Sequence, residues 1–403
     1  MKLRTLPIEF QQALPVMAQI QASGYEAYFV GGSVRDVLLG HPIHDVDIAT
    51  SAFPAEIKAI FPRTVDVGIE HGTVLVLTDE EQYEITTFRT ESTYQDFRRP
   101  DHVSFVRSLA EDLKRRDFTI NAFAVQEDGT VIDLFEGLVD LEAKILRAVG
   151  NPHERFHEDA LRMMRGLRFV SQLGFTFENE TFAAILENHA LLGKISVERI
   201  FIEFTKLLLG DYRKDAIEKF VATECYQYCP GLREKGAGLL SFAALPTEVF
   251  ATEEAAWTVL LDQLGLSEEL VGPFLRQWKV SNEFRRTCRE LLWGLQKRKQ
   301  ASFTPMELYR LQEKALVVES LLPYYGLKTH FANVKAGLEA LPIHSLSELG
   351  VNGHDLLQHF QKKPGIWLKE VLAYLEQAVV EKNCQNEKVP LLALATAYLK
   401  EQG

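Results

Sequence analysis

Every strong strand signal in this 403-residue chain falls within about the first 145 residues. The short runs AYFVGG, HDVDIAT, GTVLVLT, YEITTFR and TVIDLF alternate there with helical stretches such as PIEFQQALPVMAQI and SVRDVLLG. That alternation reads as an α/β or α+β domain. From about Asn151 the texture changes to apolar patterns near period 3.6. Examples are EDALRMMRGLRFVSQLG, ENETFAAILENHALLG, SVERIFIEFTKLLLG, MELYRLQEKALVVESLL and IWLKEVLAYLEQAVV. These segments begin after Ser, Asn, Thr or Asp and stop at Gly or Pro, as helices do. The expectation is a mixed head followed by a long all-helical remainder.

At roughly 100–200 residues per domain, a chain this long implies about two to four domains. It has no run of about 18 apolar residues that would cross a membrane. The N-terminal MKLRTLPIEFQQALPVMAQI lacks the basic region, compact apolar stretch and cleavage site of a signal peptide. Four scattered cysteines are too few for a disulfide scaffold, so a cytoplasmic protein is expected. Cys225 and Cys229 lack a second Cys/His pair at finger-like spacing and read as buried thiols. The net charge of −12 argues against indiscriminate nucleic-acid binding but leaves room for a local basic groove.

The strongest local signal is Gly31-Gly32-Ser33-Val34-Arg35-Asp36, followed by Asp45-Val46-Asp47. A Gly-Gly turn between a strand and a helix lets backbone N–H groups approach a phosphate. Ser33 reads as the helix N-cap, and Arg35 in the first turn adds a charge-assisted contact. If HDVDIAT is a strand, Asp45 and Asp47 share one face, about 6.6–6.8 Å apart at Cα. Two such carboxylates need cations or arginines between them. Hard oxygen ligands at this spacing suit Mg²⁺, bound through carboxylates and substrate phosphates. Glu84, in YEITTFR, is equally a third carboxylate or a surface-facing strand residue.

The polar, Pro-interrupted ESTYQDFRRPDHV reads as a mobile loop. After it, the cluster Lys114-Arg115-Arg116-Asp117 runs into apolar FTINAFAV, which would hold Arg116 at a pocket wall. In His157–Phe169, Asp159, Arg162, Arg165 and Arg168 fall at about 0°, 300°, 240° and 180° on a helical wheel. Ala160, Met163, Met164, Leu167 and Val170 occupy the opposite, core-facing arc. Three arginines at i+3 spacing, without interleaved glutamates to pair them, are more than a solvated face requires. Asp159 and Arg162 together present an acceptor and donors that complement a base edge.

In combination, GGSVRD…DVD, RRDFTINA and EDALR with its further arginines resemble the successive motifs of class II tRNA nucleotidyltransferases, the CCA-adding enzymes. VNGHDLL and PGIWLKEVL are similar to the tail of bacterial members. The resemblance implies an α+β chain: a nucleotidyltransferase-type mixed sheet as head (1–145), then an all-helical neck (146–212), body (213–325) and tail (326–403). It also implies that Gly32, Arg35, Arg116, Asp159, Arg162, Arg165 and Arg168 bind the nucleotide. Asp45 and Asp47 would be catalytic and hold Mg²⁺, with Asp159 and Arg162 reading the Watson–Crick edges of CTP and ATP. The implied partners are tRNA, through its 3′ end and acceptor and T arms, with no membrane and with allowance for a homodimer. The implied reaction is template-independent addition of C, C and A, with C-to-A switching sought in Thr90–His102.

Three rivals share parts of this pattern. A poly(A) polymerase or A-adding-only enzyme would use ATP alone on the same fold. A non-catalytic RNA-binding regulator has no need of two clustered acids beside a phosphate site. A small-molecule nucleotidyltransferase leaves about 250 helical residues without a role.

Overall fold

The computed structural model describes residues 1–43, 45–79, 81–91 and 103–401. Most of the stretch expected to be a mobile loop, with Arg98 and Arg99, lies outside the described residues. The chain divides into two compact units, Met1–Ala243 and Ala244–Gly403, a boundary inside the expected body segment.

The first unit begins with α1 (Ile8–Ala22), β1 (Ala27–Val30), α2 (Gly32–Leu39), β2 (Asp47–Thr50) and α3 (Pro54–Ile60). Strands β3 (Thr64–Asp66), β4 (Thr73–Leu77), β5 (Gln82–Thr87), β6 (Arg89–Glu91) and β7 (Val103–Phe105) follow. Next come α4 (Leu109–Lys114), β8 (Phe123–Val125), β9 (Val131–Asp133), α5 (Gly137–Ala143) and β10 (Ile145–Leu146). The unit closes with α6 (Pro152–Glu158), α7 (Leu161–Leu173), β11 (Thr176–Phe177), α8 (Asn179–Asn188), α9 (Val197–Leu208), α10 (Arg213–Ala222) and α11 (Gly236–Ala243). The second unit is helical, with nine α-helices among the described residues, from Glu253–Gln263 to Lys388–Glu401.

Seven strands form one mixed sheet in the order β3-β4-β5-β2-β1-β8-β9. All its pairings are antiparallel except β2 with β5. One face buries Phe29, Ile48, Val74, Val76 and Ile85 against α1 and α3, with Phe10 stacked on Phe29 at 4.1 Å between centroids. Because side chains alternate along a strand, Val30, Asp47 and Ala49 turn to the opposite face. That face is only thinly covered, by a small cluster of Val30, Ala49, Phe88, Leu113 and Ala124. One face of the sheet is therefore core and the other is free to carry chemistry.

Four local expectations change. Gly31, not Ser33, caps α2: its φ of +77° starts the helix earlier, and the Ser33 hydroxyl donates to the Val30 carbonyl at 3.0 Å. The strand expected through HDVDIAT begins only at Asp47, so Asp45 lies before β2 instead of on it. The segment 157–169 is two helices rather than one, broken at Asp159 with extended φ −140° and ψ 101°. The helical remainder also contains one short strand, β11, paired in parallel with β10. The core arc of the arginine helix is as expected, with Ala160, Met163, Met164, Leu167 and Val170 all buried.

Candidate active site

A cleft of about 810 Å³ opens over the free face of the sheet. That is within the usual 300–1,000 Å³ range of small-molecule sites. Val30, Asp47, Ala49, Thr73 and Thr86 line its floor, and Gly31 and Gly32 line the turn into α2. Its walls carry Arg35, Arg116, Asp159, Arg162, Arg165 and Arg168, so eight of the nine sequence-predicted site residues meet in one volume. Asp45 is the exception; it is exposed, two residues ahead of Asp47.

Glycine is favoured at position 31 for two reasons. Gly31 adopts a left-handed φ, which costs any other L-residue. A Cβ there would also stand 3.3 Å from both the Asp47 Oδ2 and an Arg116 guanidinium nitrogen. The backbone of the turn, the acid and the arginine thus converge at one spot. Asp47 is exposed, on the floor of the cleft. Desolvation there raises its pKa; Arg116 opposes the rise, and the Glu84 and Asp45 carboxylates add to it. Glu84 is the β5 partner of Asp47 in register, on the same sheet face, which brings a second carboxylate beside Asp47.

Arginines line the walls, and acids hold Arg35, Arg115, Arg116, Arg162, Arg165, Arg168 and Arg199. Asp112, 1% exposed, accepts from Arg115 at 2.7 Å and Arg116 at 3.2 Å. Burial opposes its charge, but the two guanidiniums bring its pKa below the ordinary carboxylate value. Asp117 accepts from Arg165 Nε at 2.7 Å and Asn121 at 3.1 Å. Burial again works against ionisation, yet Arg165, Asn121 and Arg162 hold this carboxyl well below the usual range. Arg35 donates to Asp36 and to Asn121 Oδ1 at 2.7 Å. The guanidiniums of Arg35, Arg165 and Arg168 lie 5.1, 5.6 and 4.2 Å from the centroid of one buried ring, Phe169.

The expectation that the three α7 arginines lack acidic partners is therefore corrected. Arg162 is 7% exposed, donating to Glu158 at 2.7 Å and to the Arg115 carbonyl at 2.8 Å. Glu203 on α9 accepts from Arg168 at 2.5 Å and stands 3.8 Å from Arg165. Asp159, at the α6–α7 break, accepts from the Leu161 N–H at 3.0 Å and from Arg199 at 2.6 Å. Sequence reading missed Asp112, Asn121, Phe169, Arg199 and Glu203. The i,i+4 pair Arg199–Glu203 was a usable signal, since it puts opposite charges on one face of α9, whereas Arg116 lies two residues beyond the end of α4. Away from the cleft, Cys225 and Cys229 are buried free thiols as expected, and burial pushes Cys225 up to about 12.

Comparison with known proteins covers most of the chain. Residues 27–147 match a family model described as the poly A polymerase head domain. Residues 174–235 match an RNA- and SrmB-binding site of polymerase A, and 248–395 match tRNA nucleotidyltransferase domain 2. The chain is 59% identical to the CCA-adding enzyme of Enterococcus faecalis, over 98% of each protein. The crystal structure of the Bacillus stearothermophilus CCA-adding enzyme in complex with CTP superposes with a TM-score of 0.91 at 42% identity, covering 98% of this chain and 99% of that one. A tRNA nucleotidyltransferase complexed with a primer tRNA and an incoming ATP analog superposes at a TM-score of 0.59 and 26% identity, covering 80% and 97%.

Proposed function

Since the chain belongs to the CCA-adding enzyme family, we propose that it adds C, C and A to the 3′ end of tRNA from CTP and ATP, without a template, in the cytoplasm. The observation that carries this reading is the cleft whose lining holds Asp47 and Arg116 together with Asp159 and Arg162. Phosphate chemistry and base recognition thereby share one volume. An enzyme confined to ATP is not favoured, because full-length relatives at 49–59% identity are CCA-adding enzymes.

Enzymes of this family use divalent metals, and the residues here fit one. Asp47 lines the cleft, with Asp45 two residues ahead of it and Glu84 its partner in strand register, so the donor set is a pair of aspartates with a neighbouring glutamate and not a closed cluster of three. Mg²⁺ takes one or two carboxylates from a protein and fills its shell with water and substrate phosphate, which matches this donor set. Held by Asp45 and Asp47, Mg²⁺ would supply Lewis acidity toward the α-phosphate and the tRNA 3′-hydroxyl.

The remaining work belongs to the chain. The Gly31-Gly32 turn and Arg35 cradle the triphosphate, and Arg116 neutralises charge beside Asp47. Arg165 and Arg168 line the path between phosphate and base. Asp159 accepts from the exocyclic amine shared by cytosine and adenine, while Arg162 donates to the adjacent ring nitrogen. The tRNA 3′-hydroxyl attacks the α-phosphate, the bond to the β-phosphate breaks, and pyrophosphate leaves; positioning and electrostatics carry the catalysis. The 3′ end of tRNA enters this cleft, while its acceptor and T arms lie along the helical neck, body and tail proposed for 146–403. Asp45→Ala tests the assignment: pyrophosphate release from CTP should disappear while tRNA binding is kept. Undiminished release would remove Asp45 from the chemistry.

A further inference from the structure

The geometry points to Arg199 as a positioning residue for base selection, its guanidinium fork fixing the Asp159 carboxylate in the orientation that accepts an exocyclic amine. This rests on the reading of Asp159 as a base reader, and it names the group that makes that reading selective. Asp159 sits at the extended break between α6 and α7, so no helix backbone fixes its side chain. Two contacts do. The Leu161 N–H donates to Oδ1 at 3.0 Å, and Arg199 donates to Oδ2 at 2.6 Å and to Oδ1 at 3.4 Å. A two-point guanidinium–carboxylate contact sets the plane of the acid as well as its distance. Arg199 reaches it from α9, and both residues line the cleft.

The same helix also holds the arginines that follow the reading edge along α7. Glu203, one turn beyond Arg199, accepts from Arg168 at 2.5 Å and lies 3.8 Å from Arg165. Helix α9 thus presents a positive and then a negative group to a negative and then positive edge. Its charges are the complement of the pocket wall.

The consequence is chemical. A carboxylate only accepts hydrogen bonds. Cytosine and adenine offer an amine at the matching edge position, whereas guanine and uracil, like thymine, offer a carbonyl oxygen there. An acid held in one plane meets that carbonyl with its own lone pairs and rejects it. Released from the fork, the carboxylate can turn aside and tolerate the carbonyl. Lysine keeps the charge of Arg199 but not its fixed two-point geometry.

The test compares full-length wild type, Arg199→Gln, Arg199→Lys and Asp159→Ala on a tRNA lacking its 3′ end. The readout is the ratio of kcat/KM for CTP to that for UTP, with thermal melting recorded alongside. Both Arg199 variants should lower the ratio about tenfold, the scale of one lost base contact. If Asp159→Ala collapses the ratio while both Arg199 variants keep it, the role of Arg199 is wrong and base reading by Asp159 stands. A wild-type ratio in Asp159→Ala overturns both. Full selectivity in Arg199→Lys with loss in Arg199→Gln would show that charge suffices, and would overturn the fork. Should Arg199→Gln fail to fold, Arg199→Lys alone decides between these results.

Discussion

Asp112 and Asp117 are among the most deeply buried carboxylates of the first unit, and both spend their charge on arginines of the cleft. Breaking a fully buried pair from one side typically costs about 3–5 kcal/mol; because the Arg165 side chain is 36% exposed to the cleft, Asp117→Asn should destabilise the protein by less than that. Its folded-state pKa is lowered, so the unfolded chain takes up the proton first. The stabilisation is complete above the ordinary aspartate pKa of about 3.9 and is lost as pH falls toward the folded value. The melting difference between wild type and Asp117→Asn should therefore be flat from neutral pH down to about 5 and narrow in stronger acid. A gap that widens on acidification would contradict the pairing. Asp112→Asn frees Arg115 and Arg116 together, and should raise KM for CTP and ATP alike, with their ratio unchanged. Equal kcat/KM values for wild type and variant would mean that the two guanidiniums need no tether. The arginines themselves were legible in the sequence, because i+3 spacing shows within one segment. Most of their partners were not: Asp117 meets Arg165 from 48 positions away, and Glu203 meets Arg168 from 35.

At the scale of elements, the break between α6 and α7 is what turns Asp159 into the cleft. Its signal in the sequence was weak, because Ala160, Met163, Met164 and Leu167 continue the apolar period across it. Only the tendency of Asp to accept from the backbone N–H two residues on, here that of Leu161, marked the interruption. A similar break divides MELYRLQEKALVVESLL, where Gln312 takes φ +50°. Within α7, Gly166 packs against the aromatic pair Phe118 and Phe177, and a Cβ there would lie 2.8 and 2.7 Å from their rings. Glycine in a helix interior ordinarily costs about 0.5–1 kcal/mol relative to alanine, so the usual expectation for Gly166→Ala is stabilisation. The close rings reverse that sign: overpacking should destabilise by about 1–3 kcal/mol. A raised melting temperature would show that the rings can move aside. Because Phe118 follows the Arg115-Arg116-Asp117 run directly, the same substitution should also weaken nucleotide binding.

For the whole molecule, the mixed head and the helical remainder were readable because period 2 gives way to period 3.6 along the chain. The division into units at Ala243/Ala244 was not, since the nine residues between α11 and the next helix hold one proline, Pro246, and no glycine, a weak linker signal. The net charge of −12 bears on how tRNA is held. Residues 328–403 contain eight lysines, no arginine and eight acids, so this stretch is formally neutral. Docking then relies on a few phosphate contacts and on shape, and log affinity for tRNA against log salt should have a slope no steeper than about −6. A steeper dependence would require a broad basic surface. The most direct measurement follows the product itself. A tRNA lacking its 3′ end is incubated with the protein and Mg²⁺, with CTP alone, ATP alone or both, and resolved on a sequencing gel. Two cytidylates with CTP alone, and one further adenylate only when both are present, is the expected ladder. Long A tails, or A added only to a tRNA already ending in CC, would contradict the assignment of C and A to one pocket.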